Sequence, residues 1–402
     1  MVLSWFAGRV SPIAVDIGTD TLKLLQVEPK DGQQRLIAAA SETIPEEVRG
    51  KSADRDAFVA EALKKLLADG FKGRQVVTCL PSSHMAVQHI RVGKMTTDEL
   101  AKALPFEAAG KLPFDSHRAV LRHTVAGEVY QQQETKQEII LMAAPRDAVD
   151  RHLALLSRAK LEVVGIHVEP TALIECFAHL SRRKGDENIS TLFIDMGAAA
   201  THVVIAHGKN LAFAKHIPVG GDTFNRKVAE ALKVDITTAR VLRVRAAQNA
   251  QVGRLPAGVL AISGAAEGHP LGRTGIAPAP DAEALEKIAK ATADSLDHLI
   301  TELRLCIRYY ESIYPTRTDG GASAINRVIF IGGESRYVSI CQAIAQKLGL
   351  PATLGDPLAR LVKDNASKST VDLRQPQPGW AIAAGLAVGL AHAPAAADRE
   401  AS

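Results

Sequence analysis

The chain has 402 residues, of which 47% are hydrophobic, 23% charged and only 4% aromatic, with a formal net charge of +4. That length exceeds what one hydrophobic core usually supports, so two domains are expected in an ordinary globular protein. Few aromatic rings and scattered Lys and Arg argue against a nucleic-acid groove, and four cysteines (Cys79, Cys176, Cys306, Cys341) with no C-x-x-C read as buried, reduced thiols of a cytosolic protein.

Residues 1–10 are too short and broken for a signal peptide. The longest small-and-apolar run, 380–391, has 12 residues. A membrane span needs about 20, so this run reads as a buried helix. The thirteen histidines are dispersed and suggest no metal site.

In chain order, residues 13–44 read as three strands, with a hairpin turn at Pro29-Lys30-Asp31-Gly32 between the second and third. A helix follows, with Asp54 as its cap, an apolar face of Phe58, Val59, Leu63, Leu66 and Leu67, and Gly70 as terminator. Residues 75–80 form a strand closed by Pro81. Residues 82–143 differ in character and read as a small α+β insertion. It holds a strand at 86–92 and a helix announced by the capping-box spacing of Thr96 and Glu99. Pro105 should bend or restart that helix, and two strands follow at 119–126 and 129–144. Then come a helix at 146–159, a strand at 161–169 ending on Glu169, and a helix at 170–181 with Pro170 in its first turn.

A polar turn at 184–188 divides the chain, giving a first domain over 1–183 and a second over 184–392. The second opens as the first does. Strands at 191–194, 201–206 and 211–217 carry a hairpin at 207–210, and Gly220-Gly221-Asp222 starts a helix. Residues 250–280, dense in Gly, Pro and Ala, read as a loop or insertion. A long helix spans 281–314. A strand at 328–331 ends in Gly332-Gly333, with a helix behind it at 336–348, and the Ala-rich tail over 393–402 is expected to be disordered.

One short pattern recurs. Ile13-Ala14-Val15-Asp16-Ile17-Gly18-Thr19 and Leu192-Phe193-Ile194-Asp195-Met196-Gly197 are each an apolar strand ending in Asp-x-Gly, followed by a second apolar run. Asp195 follows Asp16 by 179 residues, so the repeat is on the scale of a domain. Glycine lets the chain turn back where a Cβ would obstruct it, and small residues there leave backbone N–H groups open to an anion. Two such turns predict a nucleotide between matching halves, with Mg²⁺ held by Asp16 and Asp195, directly or through water.

Other residues admit two readings. Lys23 is either a phosphate ligand on the returning strand or a solvated lysine. Glu169 either orients an attacking water or complements a helix dipole. Gly332 and Gly333 either admit a flat ligand or make a plain turn, and Arg336 can stack on an adenine.

Together these stretches resemble the actin-like ATPase superfamily, which implies two RNase-H-like domains around a nucleotide cleft in an α/β fold. Asp16-x-Gly18 with Lys23 resembles its first phosphate motif, and Asp195-x-Gly197 with Thr201 its second. Glu169-Pro170-Thr171-Ala172 is similar to the connecting segment whose Glu helps orient water. Ile331-Gly332-Gly333-Glu334-Ser335-Arg336 is similar to the adenosine motif. Within the superfamily the chain resembles the PilM family of type IV pilus assembly, from about residue 12 to 390. The likeness includes Leu104-Pro105-Phe106-Glu107 in the insertion, Ile217-Pro218-Val219-Gly220-Gly221-Asp222, and Arg308-Tyr309-Tyr310-Glu311-Ser312.

The resemblance implies ATP and Mg²⁺ bound by Asp16, Gly18, Thr19, Lys23, Asp195, Gly197, Thr201, Gly220, Gly221, Gly332, Gly333 and Arg336. It also implies that the cytoplasmic N-terminal tail of a PilN-like inner-membrane protein docks between the first domain and the insertion. The chain would then be cytoplasmic, peripheral to the inner membrane through its partners, and weak or inactive in hydrolysis. A sugar-type kinase and an FtsA-like filament protein are the alternatives within the fold. Glu334 departs from the family pattern, which often has a small residue there.

Overall fold

The computed structural model describes residues 11–131, 134–251, 280–314, 324–364 and 367–389. Nearly all of the 250–280 stretch, and the whole tail beyond 393, lie outside these residues.

In chain order the strands are β1 (Ile13–Ile17), β2 (Thr21–Lys30), β3 (Gln33–Thr43), β4 (Gln75–Cys79), β5 (Ala86–Gly93), β6 (Ala119–Gln131), β7 (Glu134–Pro145), β8 (Glu162–His167), β9 (Ser190–Met196), β10 (Thr201–His207), β11 (Asn210–Ile217), β12 (Arg327–Ile331), β13 (Ala352–Leu354), β14 (Leu361–Val362) and β15 (Lys368–Ser369). The helices are α1 (Glu46–Arg49), α2 (Ser52–Leu67), α3 (Thr97–Glu107), α4 (Arg146–Arg158), α5 (Glu169–Phe177), α6 (Gly221–Leu232), α7 (Ile236–Gln251), α8 (Ala282–Ile313), α9 (Val338–Leu348) and α10 (Ala381–Gly389).

The strands form three sheets, ordered β14-β3-β2-β1-β4-β8 (with β15 also on β3), β11-β10-β9-β12-β13, and β5-β7-β6. The first two share one plan. A central strand opens an antiparallel run of three and also pairs in parallel with a later strand: β1 with β4, and β9 with β12. Successive side chains of a doubly covered strand alternate between two cores. Ile13 and Val15 of β1 face a core with Leu63 and Leu156 of α2 and α4, while Ala14 faces the central core with α5 and α10. In β9, Leu192 and Ile194 meet α8, while Phe193 faces the central core. Helices α5 and α10 cross so closely that a Cβ on Gly385 would stand 1.8 Å from the Ala172 carbonyl oxygen. The four cysteines are buried and free.

Several local expectations shift. Asp54 lies inside the first turn of α2, whose N-cap is Lys51 with no side-chain bond. The capping box of Thr96 and Glu99 is present, but α3 runs on past Pro105 to Glu107. The 127–128 break is instead a bulge in β6, between Val125 and Gly127. Glu169 is the first residue of α5 and not the end of a strand. Arg336 closes a short 3₁₀ turn, Gly333–Arg336, ahead of α9. Finally, β14 and β15 pair with β3, so part of the C-terminal stretch assigned to the second domain joins the first sheet. Ladder partners are distant in sequence and leave no local signal.

Candidate functional site

The two Asp-x-Gly stretches fold into matching turns. The Gly18 N–H donates to the Thr21 carbonyl (3.0 Å), and the Gly197 N–H to the Ala200 carbonyl (2.9 Å). A Cβ on Gly18 would approach Thr21 O to 2.9 Å, and one on Gly197 would approach Ala200 O to 3.1 Å, so both closures favour glycine. Thr19 and Asp20 at one tip, and Ala198 and Ala199 at the other, line a single cavity of about 570 Å³ with Asp16 and Asp195.

Each aspartate faces a basic side chain across its hairpin. In the ladder Asp16 stands opposite Lys23, and Asp195 opposite His202. Lys23 Nζ lies 3.3 Å from Asp16 Oδ2. His202 Nδ1 lies 3.1 Å from Glu169 Oε2 and 3.9 Å from Asp195 Oδ2, yet neither ring nitrogen makes a well-formed hydrogen bond.

Burial raises the Asp16 carboxyl above its ordinary range against the pull of Lys23, and Asp195 and Asp20 add to the rise. Burial likewise lifts Glu169 to about 7 despite His202, with Asp195 and Asp16 adding to it. Burial alone would lower His202, but Glu169 and then Asp195 hold it up at about 9. Three carboxylates thus crowd two cations at the bottom of the cleft. That is a pattern a bound cation would relieve.

The Gly-Gly turn after β12 meets the Asp195 turn at the cavity wall. Gly332, Gly333 and Arg336 line the cavity. Gly332 has φ +89, and a Cβ there would lie 2.4 Å from Asp195 Oδ1, so this glycine lets the two loops meet. Arg336 donates from Nη2 to Gln377 Oε1 at 3.0 Å. Glu334 turns inward, where its Oε2 lies 2.8 Å from Arg243 Nη1 on α7. Arg243 lies 4.9 Å from the centre of the Tyr337 ring.

Three expected ligands, Thr201, Gly220 and Gly221, are not among the residues that line the cavity. Thr201 is buried and donates its hydroxyl to the Val219 carbonyl (2.7 Å), which leaves it no free donor for phosphate. A Cβ on Gly220 would stand 2.6 Å from Ala198 O, and one on Gly221 would stand 2.2 Å from Glu334 Oε1. The Gly221 and Asp222 N–H groups donate to the Gly197 and Ala198 carbonyls, at 3.0 and 2.8 Å. These glycines brace the second turn from behind.

Sequence reasoning missed two ion pairs across the cleft mouth, Asp20 with Arg240 (2.9 Å) and Arg49 with Asp222 (3.7 Å). It also missed His202. The pairs have no sequence signal, but the 179-residue offset that takes Asp16 to Asp195 takes Lys23 to His202. Among the described residues no group of three or more His, Cys, Asp or Glu is arranged to hold a metal. A Mg²⁺ ion here would therefore depend on phosphate oxygens and on waters held by Asp16 and Asp195.

Residues 14–249, more than half of the chain, match the family described as type IV pilus assembly protein PilM. Among solved structures, a PilM-PilN type IV pilus biogenesis complex is similar over 95% of this chain and 98% of that one, at 22% identity and a TM-score of 0.71. The ethanolamine utilization protein EutJ from Carboxydothermus hydrogenoformans is 12% identical over 94% of this chain and 92% of its own, with a TM-score of 0.48. MreB5 of Spiroplasma citri, solved bound to ADP, is 12% identical over 93% and 94%, with a TM-score of 0.45. The architecture is the actin-like ATPase fold, two RNase-H-like domains around a cleft with a small α+β subdomain inserted in the first.

Proposed function

The chain belongs to the type IV pilus assembly protein PilM family, and from that premise we propose an ATP-binding scaffold that docks the cytoplasmic tail of a PilN-like inner-membrane protein. The observation that carries the nucleotide half is the pair of matching turns, each preceded by a strand-end aspartate that lines the same cavity. In this reading Gly18, Thr19 and Gly197 receive phosphates through backbone N–H groups, and Lys23 supplies a mobile positive charge. Asp16 and Asp195 hold Mg²⁺ through water. Gly332, Gly333 and Arg336 border the adenosine. Glu169, paired with His202, is positioned to orient a water.

The partner half rests on the family and on an open sheet edge. Strand β8 ends the first sheet, and its Val164 and Ile166 are 46% and 37% exposed. An extended peptide can pair with such an edge and bury alternate side chains. No helix among the described residues is long and apolar enough to cross a membrane, so contact with the inner membrane would run through such partners.

Calorimetry with ATP·Mg²⁺ tests the reading. Asp195→Ala should weaken binding about 10–100-fold, the usual effect of removing an outer-sphere metal partner. Full affinity in that variant would remove the cation role.

A further inference from the structure

The inserted subdomain enters the first domain's sequence at two points only, through Pro81 after β4 and from Pro145 into α4. Its three-stranded sheet buries both faces. Ile139, Leu141 and Ala143 of β7 meet α3 on one side. Ile140 and Met142 on the other side join the central core, which holds Phe193, Val204 and Ala214 of the second sheet and also Ala14 and Val77 of the first.

The polar contacts single out the second half. Glu138 of β7 is fully buried. Its Oε1 accepts from the Tyr309 hydroxyl on α8 at 2.7 Å, and its Oε2 accepts from Arg91 Nε at 3.0 Å. His89 lies between, with Nδ1 3.3 Å from Glu138 Oε1 and Nε2 3.2 Å from the Ala214 carbonyl oxygen of β11. The His89 ring stacks on Phe213 with centroids 4.8 Å apart and meets the edge of Tyr309 at 5.3 Å. The bulge at Gly127 seats Tyr314, whose hydroxyl donates to the Ala126 carbonyl; a Cβ there would be 3.1 Å from the ring. A carboxylate buried this deeply needs its partners; His89 and Arg91 come from the subdomain's own β5, and Tyr309 supplies the bond that crosses to α8.

We infer that the inserted subdomain is carried by the second half, clamped there by Glu138. A change in angle between the halves then opens or closes the groove between the first domain and the subdomain. This deepens the tail-docking reading above, with the tail lying between the first domain and the insertion as the family resemblance implies, and rests on it. It supplies a route by which events in the cleft reach a docked tail: the subdomain keeps its place on β11 and α8 and turns about Pro81 and Pro145.

Because the native cysteines are buried, spin labels on introduced cysteines at Glu61, Lys94 and Glu230 report on the first half, the subdomain and the second half. These side chains are 74%, 65% and 67% exposed. Without nucleotide, the subdomain-to-second-half distance distribution should be the narrower of the two made by the subdomain label. Glu138→Ala should broaden that pair, and Tyr309→Phe, which keeps the ring and removes one bond, should broaden it less. If ATP·Mg²⁺ moves the halves, the subdomain should shift against the first half alone. A subdomain that stays fixed to the first half while moving against the second would overturn the inference. So would a Glu138→Ala or Tyr309→Phe distribution no wider than wild type. Should ATP·Mg²⁺ fail to bind by calorimetry, the nucleotide reading falls, while the nucleotide-free comparison still decides this one.

Discussion

Lys23 and His202 hold the same station in the two halves of the molecule. Each lies directly across a hairpin from the aspartate of its Asp-x-Gly turn. In the first half the pair is a simple ion pair. In the second, a third group intervenes, because Glu169 at the start of α5 comes closer to the imidazole than Asp195 does. The duplicated scaffold is symmetric, and its chemistry is not.

That asymmetry makes the site pH-dependent. His202 titrates near 9 in the folded chain, above its ordinary value of about 6.5. Its contribution to stability is therefore complete below about pH 6.5 and is lost as pH rises through 9. Glu169 is also raised, so its ionisation removes stability between its ordinary range and about 7. His202→Gln should flatten the fall in urea midpoint between pH 7 and 9, a loss on the order of 1–3 kcal/mol in the wild type. An unchanged profile would mean that the imidazole is not the titrating group.

The ion pairs across the cleft mouth should restrain its opening. Arg240 on α7 holds Asp20 below its usual range against the opposing effect of burial. Arg240→Ala or Asp20→Asn should increase the radius of gyration of the nucleotide-free protein and speed nucleotide exchange. Global stability should change by only about 1 kcal/mol, since such pairs contribute little net energy. Scattering curves that superimpose on wild type would show that the pairs follow closure without restraining it.

Thr201 and Lys23 separate structure from binding. Thr201→Val leaves the Val219 carbonyl without its donor in a buried setting, a loss of about 1–3 kcal/mol, and should leave nucleotide affinity intact. Lys23→Ala should do the reverse. Chemical denaturation and calorimetry on the same two proteins give the comparison, and loss of affinity in Thr201→Val with no loss of stability would reverse the assignment.

The crossing of α5 and α10 should tolerate no side chain at Gly385. Gly385→Ala places a methyl against the Ala172 carbonyl, an overpacking that typically costs about 1–3 kcal/mol. The unfolding midpoint measures it. A neutral or stabilising result would mean that the two helices separate easily there.

Much of this molecule was legible in one dimension. Strand–turn–strand units carry their own signals, with apolar runs in the strands and Asp31-Gly32 at a hairpin where both residues take positive φ. The repeated Asp-x-Gly stretches marked two equivalent halves, and that alone points to a shared cleft. Even His202 lay within reach of the 179-residue offset.

What the chain order could not specify is which distant surfaces meet. The hydroxyl of Thr201 is occupied because Val219, in the link between β11 and α6, comes within bonding distance. Gly220 and Gly221 brace a turn because α6 begins directly behind it. Strands β14 and β15 return to the first sheet, and Glu138 of an insertion in the first domain finds Tyr309 of the second half. Local propensity and periodicity act over a few residues. These choices were made by burial and by the pairing of polar groups removed from water, and those forces act only between surfaces the fold has already brought together.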